Sequence, residues 1–274
     1  MRTRYLLIGS VAGVLYCLSS CDKANKQAES SVVNNAVPAI SYSVKNALPH
    51  DTLSFTEGLL VHEGQLFEST GSPDELSQTR SQFGTVDVKT GKIATKAELD
   101  RSTYFGEGIV ILNGKLYQLT YKNQTGFIYD ANTFQKIGQF KYDNSEGWGL
   151  TTDGRHLIMS DGTSTLTYLS PDSLRPVKAI KVSENGVQLD KLNELEYIEG
   201  YIYANVWSTN DIVKIDTDNG NVVGRMDLSS LQNDARTKYP KTLEMNGIAY
   251  DSQKKKLYVT GKMWPSIYEI ELTH

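Results

Sequence analysis

Cysteine is almost missing. The only two, Cys17 and Cys21, fall at the start of a 274-residue chain, so no disulfide can staple the rest of it. Histidine is sparse as well. His50, His62, His156 and His274 are scattered without metal-ligand spacing, which leaves no zinc site in view. Positive charge is not in excess: 28 Lys and Arg stand against 32 Asp and Glu, a formal net charge of −4, so nothing points to nucleic acid. No phosphate-binding loop, dinucleotide fingerprint or nucleophile elbow occurs. Tyrosine (16) and glycine (22) are plentiful, a balance that suits strands and tight turns better than helices. The length allows one large domain or two small ones.

The N-terminus stands apart. Arg2 and Arg4 form a basic end, and Tyr5 to Leu18 is an apolar stretch. That stretch is shorter than the roughly 20 residues a spanning helix needs, so it reads as an export signal. It closes on Leu18-Ser19-Ser20-Cys21, which resembles the lipobox of bacterial lipoproteins. The resemblance implies a signal peptide over residues 1–20 and a lipidated Cys21. It also implies a lipid membrane as partner and a place in the bacterial cell envelope, without a transmembrane helix. The alternative is an ordinary cleaved signal with an incidental cysteine. Residues 21–39 are polar and without periodicity, the composition of a flexible tether.

From Ile40 on, the chain repeats itself. Phe55-Thr56-Glu57-Gly58-Leu59 is echoed by Phe105-Gly106-Glu107-Gly108-Ile109, Gly147-Trp148-Gly149-Leu150, Leu192-Asn193-Glu194-Leu195 and Met245-Asn246-Gly247-Ile248. The anchors Leu59, Ile109, Leu150, Leu195 and Ile248 are 50, 41, 45 and 53 residues apart. A second strand comes after each anchor, at Leu66, Leu116, Leu157, Ile202 and Leu257. The intervening turns, Glu63-Gly64, Asn113-Gly114, Asp153-Gly154 and Glu199-Gly200, carry hairpin chemistry; the fifth, Asp251 to Lys256, is longer. Third strands are expected at 85–88, 127–130, 166–169, 212–215 and 267–270, and fourth strands at 92–97, 136–140, 177–182 and 222–226. The fifth repeat ends before a fourth strand, while Ile40 to Val44 is left over at the other end. Four-stranded units closed by pairing the termini describe an all-β fold over residues 40–274: a five-bladed β-propeller closed by an N-terminal strand in the last blade. An open solenoid would need end caps, and none is visible. Two insertions break the pattern, Ser72 to Gln82 and Leu228 to Thr242, the latter with a short helix at 229–236. Loops of this length are often functional.

In a propeller the first strand of each blade lines the central channel. One equivalent position, two before each anchor, holds Glu57, Glu107, Trp148, Asn193 and Asn246, which should form a ring at one mouth. The second strands end on the same face at Gly71, Tyr121, Gly162, Trp207 and Lys262. Apolar walls with a few convergent polar groups suit a small molecule or a peptide end. The plainer readings are a solvated Glu before a strand, Trp148 and Trp207 as blade packing, Asn193 and Asn246 as turn caps, and Lys262 as a surface lysine. Lys254-Lys255-Lys256 reads as a solvated hairpin tip.

These motifs also carry a family resemblance. Phe105 to Ile109, Glu146 to Thr151, Met159 to Gly162, Leu192 to Glu196, Ala204 to Trp207, Asn246 to Ala249 and Thr260 to Pro265 are similar to the plant and bacterial type of glutaminyl-peptide cyclotransferases. The match runs from about Phe55 to Ile270. It implies a five-bladed propeller that turns the N-terminal glutamine of a peptide or protein into pyroglutamate and releases ammonia. It implies Glu107 as proton carrier and Asn193 as donor to the developing oxyanion. Glu57, Tyr121, Trp148, Trp207, Lys262 and Asn246 are left to hold the substrate. No cofactor is required for the chemistry, and a structural calcium in the channel is implied without identifiable ligands. The chain departs from the family pattern twice, with Glu57 where Gln is usual and Tyr121 where Trp is common. Two rival readings remain at this point. One is a metal-dependent lactonase with Glu57, Glu107, Asn193 and Asn246 as ligands; the other is a non-catalytic binding propeller.

Overall fold

A computed structural model describes residues 36–273. The export signal over 1–20, Cys21 and the tether up to residue 35 lie outside the described residues.

The strands come in fours. After β1 (Ser41–Pro49), the first blade is β2 (Phe55–His62), β3 (Gln65–Gly71), β4 (Gln82–Val86) and β5 (Ile93–Glu98). The second is β6 (Gly106–Leu112), β7 (Lys115–Thr120), β8 (Thr125–Asp130) and β9 (Lys136–Lys141). The third is β10 (Leu150–Thr152), β11 (Leu157–Met159), β12 (Thr165–Leu169) and β13 (Pro176–Lys181). A two-stranded ribbon, β14 (Ser183–Glu184) and β15 (Val187–Gln188), leads into the fourth: β16 (Leu192–Ile198), β17 (Tyr201–Val206), β18 (Asp211–Asp216) and β19 (Val222–Asp227). Helix α1 (Ser229–Lys238) precedes β20 (Met245–Asp251), β21 (Lys256–Gly261) and β22 (Ser266–Thr273). The last sheet runs β1-β22-β21-β20, so the N-terminal strand completes the fifth blade, as the leftover segment predicts. The inner strands β2, β6, β10, β16 and β20 touch one another in a closed ring.

The burial pattern explains why these strands read as continuous apolar runs rather than as clean alternation. A blade is covered on both faces, so both parities of a strand are buried. Leu59 packs toward the fifth blade and Leu60 toward the second; Ile109 faces the first blade and Val110 the third. Among the described residues the core is five apolar clusters, one at each junction between neighbouring blades. An open solenoid would lack the junction of Leu59, Leu66 and Val86 with Ala249, Tyr258 and Ile267.

Several boundaries differ from expectation. The closing strand extends past Val44: Ser41 to Val44 oppose Thr273 to Ile270, and a bulge carries the pairing on to Pro49 opposite Ser266. Val37 to Ala39, assigned to the tether, already lie against the fourth blade, where the Arg225 amide donates to the Pro38 carbonyl at 2.9 Å. The third strand of blade one stops at Val86, because the Asp87 carboxylate accepts the Lys89 amide (2.9 Å) and turns the chain. The helix runs to Lys238 rather than Arg236. The ribbon β14–β15 is unforeseen, although Asn185-Gly186, both at positive φ, is the usual two-residue hairpin turn.

Candidate active site

One local device sets the site. The pairing of inner strand to second strand slips between Thr56 and Gly58, between Gly106 and Ile109, between Leu192 and Leu195, and between Met245 and Ile248. Each slip contains the repeat position: Glu57, Glu107, Asn193 or Asn246. A bulge twists the strand and re-aims the side chain it carries. In the third blade Trp148 precedes the strand and is held by its amide bond to the Ser160 carbonyl, 3.0 Å. The glycine after the repeat position lets the rings of backbone close up. A Cβ on Gly108 would sit 2.5 Å from the Leu150 nitrogen, where the Gly108 amide donates to Trp148 O. The fourth blade has Glu194 instead. Its carboxyl oxygens accept the Leu59 amide of β2 (3.2 Å) and the Ile248 amide of β20 (2.8 Å), pinning three inner strands together.

The ring opens into a cavity of about 590 Å³ at one mouth. Glu57, Glu107, Trp148, Asn193, Tyr121, Trp207 and Lys262 all line it. Asn246 does not. It is fully buried behind Glu57, donating from Nδ2 to Glu57 Oε2 (2.9 Å) and to the Thr56 carbonyl (3.1 Å). Lys262 Nζ lies 2.7 Å from Glu57 Oε1 and 4.5 Å from the Phe55 ring centre. It is therefore a buried ion-pair partner and not a surface lysine.

Aromatic rings form a continuous arc. Phe55, Phe105, Tyr121, Trp148 and Trp207 succeed one another at centroid separations of 5.9, 5.9, 6.4 and 5.8 Å. Trp148 and Trp207 meet edge to face at 82°. Trp148 is oriented by its Nε1–H bond to Glu146 Oε2 (2.9 Å). Its ring also packs on Gly162, at positive φ, where a Cβ would come within 2.7 Å of the indole.

The floor is polar and unusually unpaired. Glu107 and Asn193 are 4% and 3% exposed. Among the described residues, neither the Glu107 carboxyl nor the Asn193 side-chain amide makes a hydrogen bond, and Glu107 Oε2 and Asn193 Oδ1 are wholly buried. Burial pushes the Glu107 carboxyl well above the usual range; the Glu57 charge adds to this, Lys262 opposes it and Glu146 adds a little. Glu57 is raised to about 7, again first by burial, with Lys262 holding it down. Buried polar groups are ordinarily satisfied; here a carboxyl and an amide that line the cavity have no partner among the described residues.

Several lining residues escape the sequence reading. Phe55 and Phe105 each stand two positions before a ring glutamate, a signal the repeat alignment already contains. Glu244 and Arg101 come from segments outside the repeat, where no periodicity marks them, whereas the 72–75 loop belongs to the first insertion, which the sequence does mark.

A calcium ion would need several hard oxygen donors. Among the described residues no group of three or more His, Cys, Asp or Glu side chains could hold a metal ion. Glu194 spends both oxygens on backbone amides, and burial raises its pKa well above the usual range. The side chains present do not fit a carboxylate-held calcium. The lactonase ligand set gains no support either, since Glu57 is engaged by Lys262 and Asn246.

The model of a family described as glutamine cyclotransferase matches residues 13–272. The glutaminyl-peptide cyclotransferase of Arabidopsis thaliana is 41% identical over 226 residues, covering 82% of this chain and 69% of the relative. The crystal structure of Myxococcus xanthus glutaminyl cyclase superposes with a TM-score of 0.78 at 31% identity, over 86% of this chain and 98% of that one. With its closed ring of five blades and a family match along almost its whole length, the chain belongs to the glutamine cyclotransferase family, acyltransferases of the glutaminyl-peptide cyclotransferase type.

Proposed function

We propose that the cavity receives the N-terminal glutamine of a peptide or protein, that Glu107 moves the proton, and that Asn193 stabilises the oxyanion. The observation that carries this reading is that the Glu107 carboxyl and the Asn193 side-chain amide, both buried and unpaired among the described residues, line one aromatic-walled cavity. The aromatic arc encloses the glutamine side chain and keeps water from the reacting carbon. The α-amine attacks Cδ of the γ-carboxamide. A nitrogen–carbon bond forms, the carbonyl oxygen becomes negative, and Asn193 Nδ2 donates to it. Glu107 takes a proton from the α-nitrogen and returns it to the departing amide nitrogen. The Cδ–N bond breaks, leaving pyroglutamate and ammonia. A free α-amine has a pKa of about 7.7–8.0, and a base raised by burial is well matched to it. The direct test is ammonia release from a Gln-initiated peptide at pH 6–9; no release at any pH overturns the reading and favours a binding propeller.

Glu57 sets the pH range. Its carboxylate raises the pKa of Glu107 as a like charge and occupies the cation that lowers it. Glu57→Gln removes the first effect and frees Lys262 to act on Glu107, so both changes lower the pKa of the base. The base must be ionised to work, so the acid limb of the kcat profile should move to lower pH with activity retained. An acid limb that stays put or moves upward sinks this role for Glu57.

The anchoring reading completes the proposal. Lipid on Cys21 holds the propeller at a membrane of the cell envelope through the tether. Support comes from the Leu18-Ser19-Ser20-Cys21 pattern. Metabolic labelling with a fatty acid should vanish in Cys21→Ala, and labelling that persists rules Cys21 out as the anchor.

A further inference from the structure

The two insertions that interrupt the repeat meet in space. Leu76 and Gln78 from the first, with Tyr239 and Lys241 from the second, line a separate hollow of about 590 Å³, together with Leu53, Leu243 and Met263. Its lining is chiefly apolar. Leu53 is 45% exposed, while Leu76, Tyr239 and Leu243 are half-buried. Met263 lies buried beneath, held at a positive φ of 59° with its amide donating to the Ser54 carbonyl at 2.7 Å.

The hollow adjoins the cavity already described. Glu75, Glu244 and Lys262 line the cavity, while their chain neighbours Leu76, Leu243 and Met263 line the hollow. Phe55 and Leu53 divide in the same way. One ridge, built from four chain segments, therefore separates the two. The Leu243 amide donates to the Lys262 carbonyl and Arg101 donates to the carbonyls of Ser77 and Pro73, which ties the ridge and the first insertion in place.

We propose that this hollow is a subsite for an apolar side chain of the substrate peptide, a few residues beyond the N-terminal glutamine. The proposal rests on the reading of the cavity as a glutamine site. A peptide whose first side chain fills that cavity must leave across its mouth. The aromatic arc bounds the side toward the second, third and fourth blades, whereas the ridge at 75, 244 and 262 leads directly to the hollow. An extended chain covers about 3.3–3.6 Å per residue, so positions just after the glutamine reach over such a ridge. Exposed apolar surface rimmed by polar groups, here Gln78 and Lys241, is the usual mark of a recognition site.

The test uses the intact protein, the dipeptide Gln-Gly, and Gln-initiated hexapeptides of Gly and Ser with one Leu moved through positions two to five. At one position Leu should lower KM by about 3- to 10-fold with kcat unchanged. That preference, taken relative to each variant's own turnover of Gln-Gly, should disappear in Leu53→Ser and in Leu76→Ser. Turnover of Gln-Gly with no preference at any position, or a preference that survives both substitutions, overturns the subsite alone. Failure to cyclise any of these peptides overturns the glutamine reading and the subsite with it.

Discussion

Glu107→Gln should lower kcat by about 10²-fold or more, with little change in KM. The substitution keeps the volume and polarity of the side chain and removes only its ability to carry a proton. The carboxyl has no hydrogen bond among the described residues, so the change breaks no contact of the folded protein. It should not weaken the fold either. A carboxyl whose pKa is raised in the folded state gives greatest stability below its unfolded value of about 4.3. That stability falls as pH rises toward the folded-state pKa and stays reduced above it. Burial and the Glu57 charge place Glu107 in this class. At pH 8 the Gln variant should therefore melt at or above the wild-type temperature while turning over slowly. Steady-state ammonia release and a melting curve on the same sample read both effects. Near wild-type turnover would remove Glu107 from the proton path.

Asn193→Ala should reduce kcat by about 10²–10³-fold, the range for losing one donor to an oxyanion. The side chain sits in the fourth-blade bulge, and Glu194 next to it locks that strand to the first and fifth blades. The backbone that carries the donor is thus fixed before substrate arrives. Asn193→Asp separates donation from size. It keeps the shape and loses the N–H, so it should be as slow as the Ala variant. A rise in KM with kcat preserved in both variants would instead make Asn193 a uniform binding contact.

Both effects rest on residues that the repeat marks out, and the sequence carries much of the rest. Regular anchors, each with its hairpin turn, determine five blades, because each blade must bury both faces against neighbours and so repeats the same apolar strand. The closing strand is legible for a related reason: a sheet lacking its fourth strand and a leftover apolar segment at the other terminus have one economical pairing. Repeat register also places Glu57, Glu107, Trp148, Asn193, Tyr121, Trp207 and Lys262 at one mouth, since equivalent positions around a closed ring face the same axis.

Only the tertiary structure decides what those residues do to one another. Asn246 occupies the same repeat position as Asn193, yet it is spent holding Glu57, while Asn193 stays unpaired. The difference comes from what lies beside each in the closed ring: Glu57 meets Asn246, and no described residue bonds the Asn193 side chain. Repeat register brings Lys262 to the mouth, but only closure of the fifth blade against the first sets it on Glu57. The raised pKa of Glu107 likewise needs burial and a second carboxyl 50 residues away in the chain. The hollow beside the cavity is least legible of all, because Leu76, Gln78, Tyr239 and Lys241 in its walls come from two insertions that obey no repeat and meet only when the propeller shuts.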